Sequence, residues 1–404
     1  MPLRISAFAW VSFAMIVGVM GTALISPLYP LYKDAWHLQP SDISLIYVIY
    51  MSGALLTLLF LGRLPDRIGF KTVMLWGLAL VVLGSLMSLL AGNMATLALG
   101  RFVVGMASSL ITTSSTVGLA QLSRNPDPKR TATVIGFLMA FGFGLGPLLG
   151  GLISQWAPLP LLTTYVPTVV LASIGFFALR KTPIGAADDA RAPLALKDLL
   201  PKLTWPEKDR SGAFALTSLV PFLAFGVFSL YAAMSPLFLD RLVPWHGPAV
   251  SGTAIAAILL ASAGIQILAS RLPTHRCGFF GLLGLGVSNL ILMSNLWIGS
   301  GLLFALGLAF TALGHAMSML AGMSMVGRLA QAHNKAGLFS SYLVIGYLGS
   351  MLPLLGTGWM ADHWGMNVAV SVFCALVALA AVIAARAFKN HRWMRHGAPA
   401  AAAA

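Results

Sequence analysis

The side chains able to do chemistry in this chain are few: eleven Asp and Glu, eight His and two Cys among 404 residues. None of the eleven acids falls in the middle of a long apolar run. Seven of the histidines also lie in polar stretches or at run ends. His315 alone stands near the centre of such a run, 301–326. With an ordinary pKa of about 6.5, a histidine changes charge in the physiological range, so it could bind a substrate, carry a proton, or do both. The alternative is a neutral imidazole bonded to a neighbouring helix. His315, Met319 and Met323 fall at i, i+4 and i+8, one helical face. Imidazole with thioether suits Cu(I), but the run at 95–121 offers Ser108, Ser109 and Thr112 rather than further soft ligands. Methionines also serve as adaptable apolar filler, so no metal is expected. Arg101 is the one charge well inside a run. Burying it in lipid costs at least about 2.5–3.5 kcal/mol. It therefore contacts an anionic substrate group, relays protonation changes, or ties helices together through backbone carbonyls. No nucleophile elbow and no zinc pair occur, and Gly69-Phe70-Lys71-Thr72 is not a phosphate loop because Phe interrupts the Gly-Lys pair. Cys277 and Cys374 are too few for a disulfide framework. Nothing points to an enzyme or a bound cofactor.

The elements that position these residues follow from composition. The chain is 58% hydrophobic and 9% charged, against about 25% charged in soluble proteins. A bilayer-spanning helix needs about 20 mostly apolar residues. Twelve runs meet this, at 7–31, 43–61, 72–91, 95–121, 131–155, 161–179, 213–239, 250–270, 278–296, 301–326, 336–361 and 367–387. The first is too long for a signal peptide's apolar region and reads as an uncleaved first span. Of the 25 Lys and Arg, 22 lie on one side of this arrangement and only Lys33 and Arg241 on the other. The positive-inside rule then places both termini in the cytoplasm. The net charge of +14 is thus a topology signal and not a nucleic-acid footprint. Prolines 27, 30 and 236 should bend or end spans 1 and 7 near the outside. A short interfacial helix is expected near 194–203, and a disordered tail from Phe388.

A polar segment at 181–212 separates six spans (1–180) from six more (213–387), with a cytoplasmic tail at 388–404. The two halves repeat. Ser26-Pro27-Leu28-Tyr29 returns as Ser235-Pro236-Leu237-Phe238, and Arg63-Leu64-Pro65 as Arg271-Leu272-Pro273. Ala98-Leu99-Gly100 returns as Ala305-Leu306-Gly307, and Pro147-Leu148-Leu149-Gly150 as Pro353-Leu354-Leu355-Gly356. The offset drifts smoothly from 209 to 206. Parallel six-span repeats are a plan of alternating-access transporters.

Three motifs then carry a family resemblance. Gly62-Arg63-Leu64-Pro65-Asp66-Arg67-Ile68-Gly69-Phe70-Lys71, between spans 2 and 3, resembles the signature loop of the major facilitator superfamily, with Pro65 and Phe70 departing from it. Arg101-Phe102-Val103-Val104-Gly105 resembles that family's buried-arginine motif. Gly142, Gly146, Pro147, Gly150 and Gly151 in span 5 resemble the motif of its antiporter branch, the 12-span drug:proton exporters. The resemblance implies an all-α membrane fold of two pseudo-symmetric six-helix halves. It also implies a cavity lined by spans 1, 4, 7 and 10. Asp66 would dock on the start of span 11, near Ala336, and latch the outward-open state, with Gly62, Arg67, Gly69 and Lys71 shaping the loop. The span 5 bend would help seal the outside. Read from spacing alone, the four glycines form one smooth face for close helix packing.

Together these readings describe a proton-coupled exporter of small neutral or weakly acidic amphipathic compounds, a monomer in the inner membrane. His315, Arg101, Ser108, Thr112, Tyr231 and Met319 are the candidate substrate and coupling residues. Thr22, Ser26, Tyr47, Tyr50, Gln266, Asn289, Tyr342 and Tyr347 are further polar candidates. The alternative is an uptake permease for an organic anion, with Arg101 and His315 as positive anchors. A copper transporter and a non-transporting receptor are two more.

Overall fold

In a bilayer every backbone N–H and C=O must be satisfied without water, and a helix does this within its own segment. The computed structural model describes residues 6–123, 128–184, 200–201, 203–331 and 334–396, without the side chains of 128–130, 241, 336 and 395–396. Among them are twelve helices long and apolar enough to cross a membrane. Spans 1 to 6 are Ala7–Trp36, Pro40–Leu61, Phe70–Leu89, Met94–Leu122, Thr131–Trp156 and Pro160–Lys181. Spans 7 to 12 are Lys208–Phe238, Pro248–Ala269, Thr274–Ile298, Gly301–Leu329, Gly337–Trp364 and Met366–Asn390.

The prolines act locally. In span 1 the α-helix stops at Ala23, a 3-10 turn covers Ser26–Leu28, and Tyr29–Trp36 resumes as α-helix. The span therefore continues to Trp36, beyond the end read at 31. In span 7 a widened π turn at Leu230–Met234 precedes Ser235–Phe238, which relieves the clash that Pro236 would make with the carbonyl four residues back. Ser235 Oγ donates to the Tyr231 carbonyl at 2.7 Å.

The tail differs from expectation. Span 12 runs through Phe388, which is fully buried, to Asn390, and a short helix Arg392–His396 follows with Trp393 and Met394 buried. Arg210 stacks 5.3 Å from the Trp393 ring centre, so aromatic and apolar groups hold a segment whose basic composition suggested disorder. The stretch expected as an interfacial helix lies, apart from residues 200, 201 and 203, outside the described residues.

The chain divides into two compact units. One holds Met1–Leu38, Leu45–Pro201 and Gly247–Leu259; the other holds Gln39–Ser44, Lys202–His246 and Leu260–Ala404. They follow the sequence halves except at two places. The start of span 8 groups with the first unit and the start of span 2 with the second. In the first unit, span 1 packs against spans 4, 5 and 6, and span 3 against span 4, around Met15, Val19, Met74, Leu78 and Ile111. In the second, span 9 packs against spans 10 and 12, and span 7 against spans 10 and 11.

Candidate functional site

Arg101 is buried in the first unit, only 2% exposed. Its Nη2 donates to the Thr22 carbonyl at 2.7 Å, and its guanidinium lies 4.5 Å from the Tyr50 ring centre. The local reason is the break in span 1. Thr22 sits in the last turn of Ala7–Ala23, where carbonyls lose their partners four residues on. The arginine supplies the missing donor and binds the quadrupole of a tyrosine face with the rest of its charge. Gly105, one turn along span 4, lets span 2 approach, since a methyl there would strike the Tyr50 carbonyl. Arg101 thus ties spans 1, 2 and 4. Its Nε has no hydrogen-bond partner among the described residues. Nearby in span 1, Tyr29 is fully buried, and the Tyr32 hydroxyl pairs with that of Tyr165 at 2.9 Å.

The hydroxyl run of span 4 is mostly spent on its own helix. Thr112 Oγ1 donates to the Ser108 carbonyl at 2.9 Å, and Ser114 and Ser115 do the same to Leu110 and Ile111. Such back-bonding satisfies a hydroxyl without a ligand. Ser109 instead donates to the Ala54 carbonyl of span 2 at 2.7 Å. Ser108 is buried.

In the second unit His315 is half-buried, with Nδ1 2.9 Å from Ser262 Oγ on span 8 and its ring 6.1 Å from that of Phe228 on span 7. A serine hydroxyl both donates and accepts, so it can meet either tautomer and the protonated ring alike. No described group bonds Nε2. Tyr231 on span 7 is buried beside Thr311 of span 10. Met319 is half-buried, while Met323 is 43% exposed. Ser262 escaped the sequence reading. Its signal is weak, one hydroxyl among small residues in Ala261-Ser262-Ala263-Gly264.

The loop between spans 2 and 3 forms a short helix, Leu64–Ile68, closed by Gly69 at φ 89°, a conformation that favours glycine. Lys71 Nζ donates to the carbonyls of Thr182 at 2.8 Å and Arg180 at 3.3 Å, a cation at the C-terminal end of span 6. Asp66 is exposed, Gly62 and Arg67 half-buried. Phe70, which departs from the family pattern, is 1% exposed and lies on Gly118 of span 4, where a methyl would strike its ring.

In span 5, Gly142, Gly146 and Gly150 step along span 1. A methyl at Gly142 would lie 2.9 Å from the Ile16 carbonyl oxygen, and methyls at Gly146 and Gly150 would strike those of Met20 and Leu24. Both helices advance by four residues at each contact. Gly151 does not share that face. A methyl there would lie 2.5 Å from the Pro248 carbonyl oxygen of span 8. Neighbouring helical residues point about 100° apart, so Gly150 and Gly151 serve different partners. Pro147 sits between them and Gly146 in an unbroken helix, Pro128–Trp156.

The profile of the Major Facilitator Superfamily matches residues 11–275. The chain is 34% identical over 104 residues to the uncharacterized MFS-type transporter YceJ of Bacillus subtilis, covering 26% of this chain and 27% of that one. It is 25% identical over 143 residues to the quinolone resistance protein NorA of Staphylococcus aureus, covering 35% and 37%. The alignments thus span well under half of these relatives' lengths. A crystal structure of the peptide transporter POT superposes with TM-score 0.76 at 15% identity, covering 94% of this chain and 93% of that one. Twelve membrane-length helices and a family profile over more than half its length establish that this chain belongs to the Major Facilitator Superfamily, a family of transporters and not of enzymes.

Proposed function

We propose that this transporter exports small neutral or weakly acidic amphipathic compounds against an inward flow of protons, by alternating access. On this reading it sits in the inner membrane as a monomer with both termini cytoplasmic. The observation that carries the reading is His315. Among the described residues it is the one His, Asp or Glu placed mid-span. Its Nδ1 is engaged by Ser262, which leaves Nε2 as the nitrogen that takes up the proton or meets the substrate. Tyr231, Met319, Ser108 and Thr112 are the proposed pocket residues on spans 7, 10 and 4, and Arg101 is the second polar handle. The likeness to NorA supports the exporter direction, as does the glycine face of span 5 against span 1. The absence of a mid-span carboxylate disfavours permanently cationic drugs as substrates. The loop 62–71 is proposed as the cytoplasmic latch, through Asp66.

The test uses purified protein in liposomes enclosing a pH-sensitive dye, with antibiotics, fatty acids and organic acids added under an imposed proton gradient. Substrate-dependent proton movement is expected in the wild type and lost in His315→Ala. Unchanged movement in the variant would return His315 to a structural role. One observation favours a second reading, an uptake permease for an organic anion: the buried Nε of Arg101 has no hydrogen-bond partner among the described residues. Whole-cell accumulation separates the two, because deletion raises internal substrate for an exporter and lowers it for a permease.

A further inference from the structure

Two helices that begin with proline start in the same way, at positions 208 apart in the repeat. Pro40, Ser41 and Ser44 of span 2 correspond to Pro248, Ala249 and Gly252 of span 8. Proline has no N–H to leave unpaired at a helix start. In span 2 the N–H groups of Asp42 and Ile43 go to the Gln39 carbonyl at 3.0 and 3.4 Å, and the Gln39 N–H goes to Asp42 Oδ2 at 2.8 Å. That leaves Ser41, whose N–H donates to Asp362 Oδ1, at the far end of span 11, at 3.1 Å. In span 8 the Val250 N–H goes to the Gly247 carbonyl at 3.2 Å. The Ala249 N–H goes to Gln155 Oε1, at the far end of span 5, at 3.3 Å. Gln155 and Asp362 are themselves 207 apart.

Each cap sits on a close backbone crossing. A methyl at Gly358 would strike Ser44 Oγ and lie 2.9 Å from Ser41 Cα; one at Gly252 would strike the Pro147 carbonyl. These crossings are why the start of span 2 groups with the second unit and the start of span 8 with the first. The two differ in charge. A carboxylate on a helix N-terminus gains from the helix dipole, and a neutral amide gains far less.

We infer that Asp362 is a gate-locking residue of the transport cycle, a charged latch that holds the span 2–span 11 crossing closed, while the span 5–span 8 crossing carries only a neutral cap. Asp362 does not touch substrate; it positions two helices. It also completes a reciprocal arrangement. Asp66 follows span 2 and is proposed to dock on the start of span 11, whereas Asp362 closes span 11 and caps the start of span 2. This rests on the alternating-access reading above.

The experiment reads opening directly, with no substrate or proton gradient. The full chain is placed in lipid nanodiscs, with Cys277 and Cys374 replaced by Ser and Ser44→Cys as reporter. Ser44 is fully buried at the crossing, so a maleimide reaches it only when the crossing parts. Asp362→Ala is expected to raise the labelling rate by about three- to fivefold. Asp362→Asn, which keeps an acceptor like that of Gln155, gives a smaller rise, and Gln155→Glu slows labelling. Should Asp362→Ala fail to fold, the Asn and Gln155→Glu variants decide alone. Labelling equal to the parent in the Asp362 variants overturns the latch. Asp66→Asn is expected to slow labelling. If it has no effect while the Asp362 variants act, the Asp66 latch falls and that of Asp362 stands.

Discussion

Arg101 and His315 stand on spans 4 and 10, which the internal repeat makes equivalent, yet their surroundings differ in kind. Arg101 is 2% exposed and held by the Thr22 carbonyl and the Tyr50 ring. His315 is half-buried, and a single hydroxyl meets one of its two nitrogens. A permanent charge in an apolar interior has to be neutralised by fixed dipoles, so Arg101 sits on a broken helix end that exposes a carbonyl. A neutral imidazole needs far less, so His315 keeps a nitrogen to spare. On the proposed function, the first unit's polar centre serves chiefly stability and the second's serves proton exchange.

Substitutions at three residues test that division, beginning with the largest effect. Arg101→Leu leaves the Thr22 carbonyl buried without its donor, a cost of about 1–3 kcal/mol. The unfolding midpoint in nanodiscs should fall clearly, and transport with it. Arg101→Lys should recover only part, because a point charge lacks the flat fork that meets carbonyl and ring together. Arg101→Leu of full stability but without transport would move Arg101 from tie to substrate contact. Tyr50→Leu removes the aromatic face and should cost about 0.5–2 kcal/mol of stability, read by the same melt. Ser262→Ala should be the mildest. One hydrogen bond of about 0.5–1.5 kcal/mol disappears, and substrate-driven proton flux should slow several-fold while the melting temperature barely moves. A large loss of stability in Ser262→Ala would instead make the His315 pair a structural tie like that of Arg101.

Residues were legible in the sequence to different degrees, according to what each one needs. His315 and Arg101 stood out because charge and titration are rare inside apolar runs. Thr22 and Tyr50 stood out only as polar candidates for a cavity, not as partners of Arg101, and Ser262 did not stand out at all. A backbone carbonyl such as that of Thr22 has no residue type of its own, and Ser262 resembles any serine in a membrane helix. The glycines of span 5 were legible as a packing face, but the outward turn of Gly151 to span 8 was not. Phe70 read as a departure from the family loop, and only the slot at Gly118 explains it. The tail after Phe388 read as disordered from its basic and alanine-rich composition, yet Phe388, Trp393 and Met394 are buried.

The amino-acid sequence by itself determined the twelve spans, their six-plus-six repeat and the family motifs, because a bilayer forces each span to be long, apolar and internally hydrogen-bonded whatever its neighbours are. Which groups meet was decided only by tertiary structure. The 3-10 break in span 1 aims a carbonyl at Arg101, and the crossings at Gly151 and Gly358 place Gln155 and Asp362 on helix starts. Such meetings join residues from 79 to 321 positions apart. They depend on helix direction and on which backbone has room to approach, and hydropathy encodes neither.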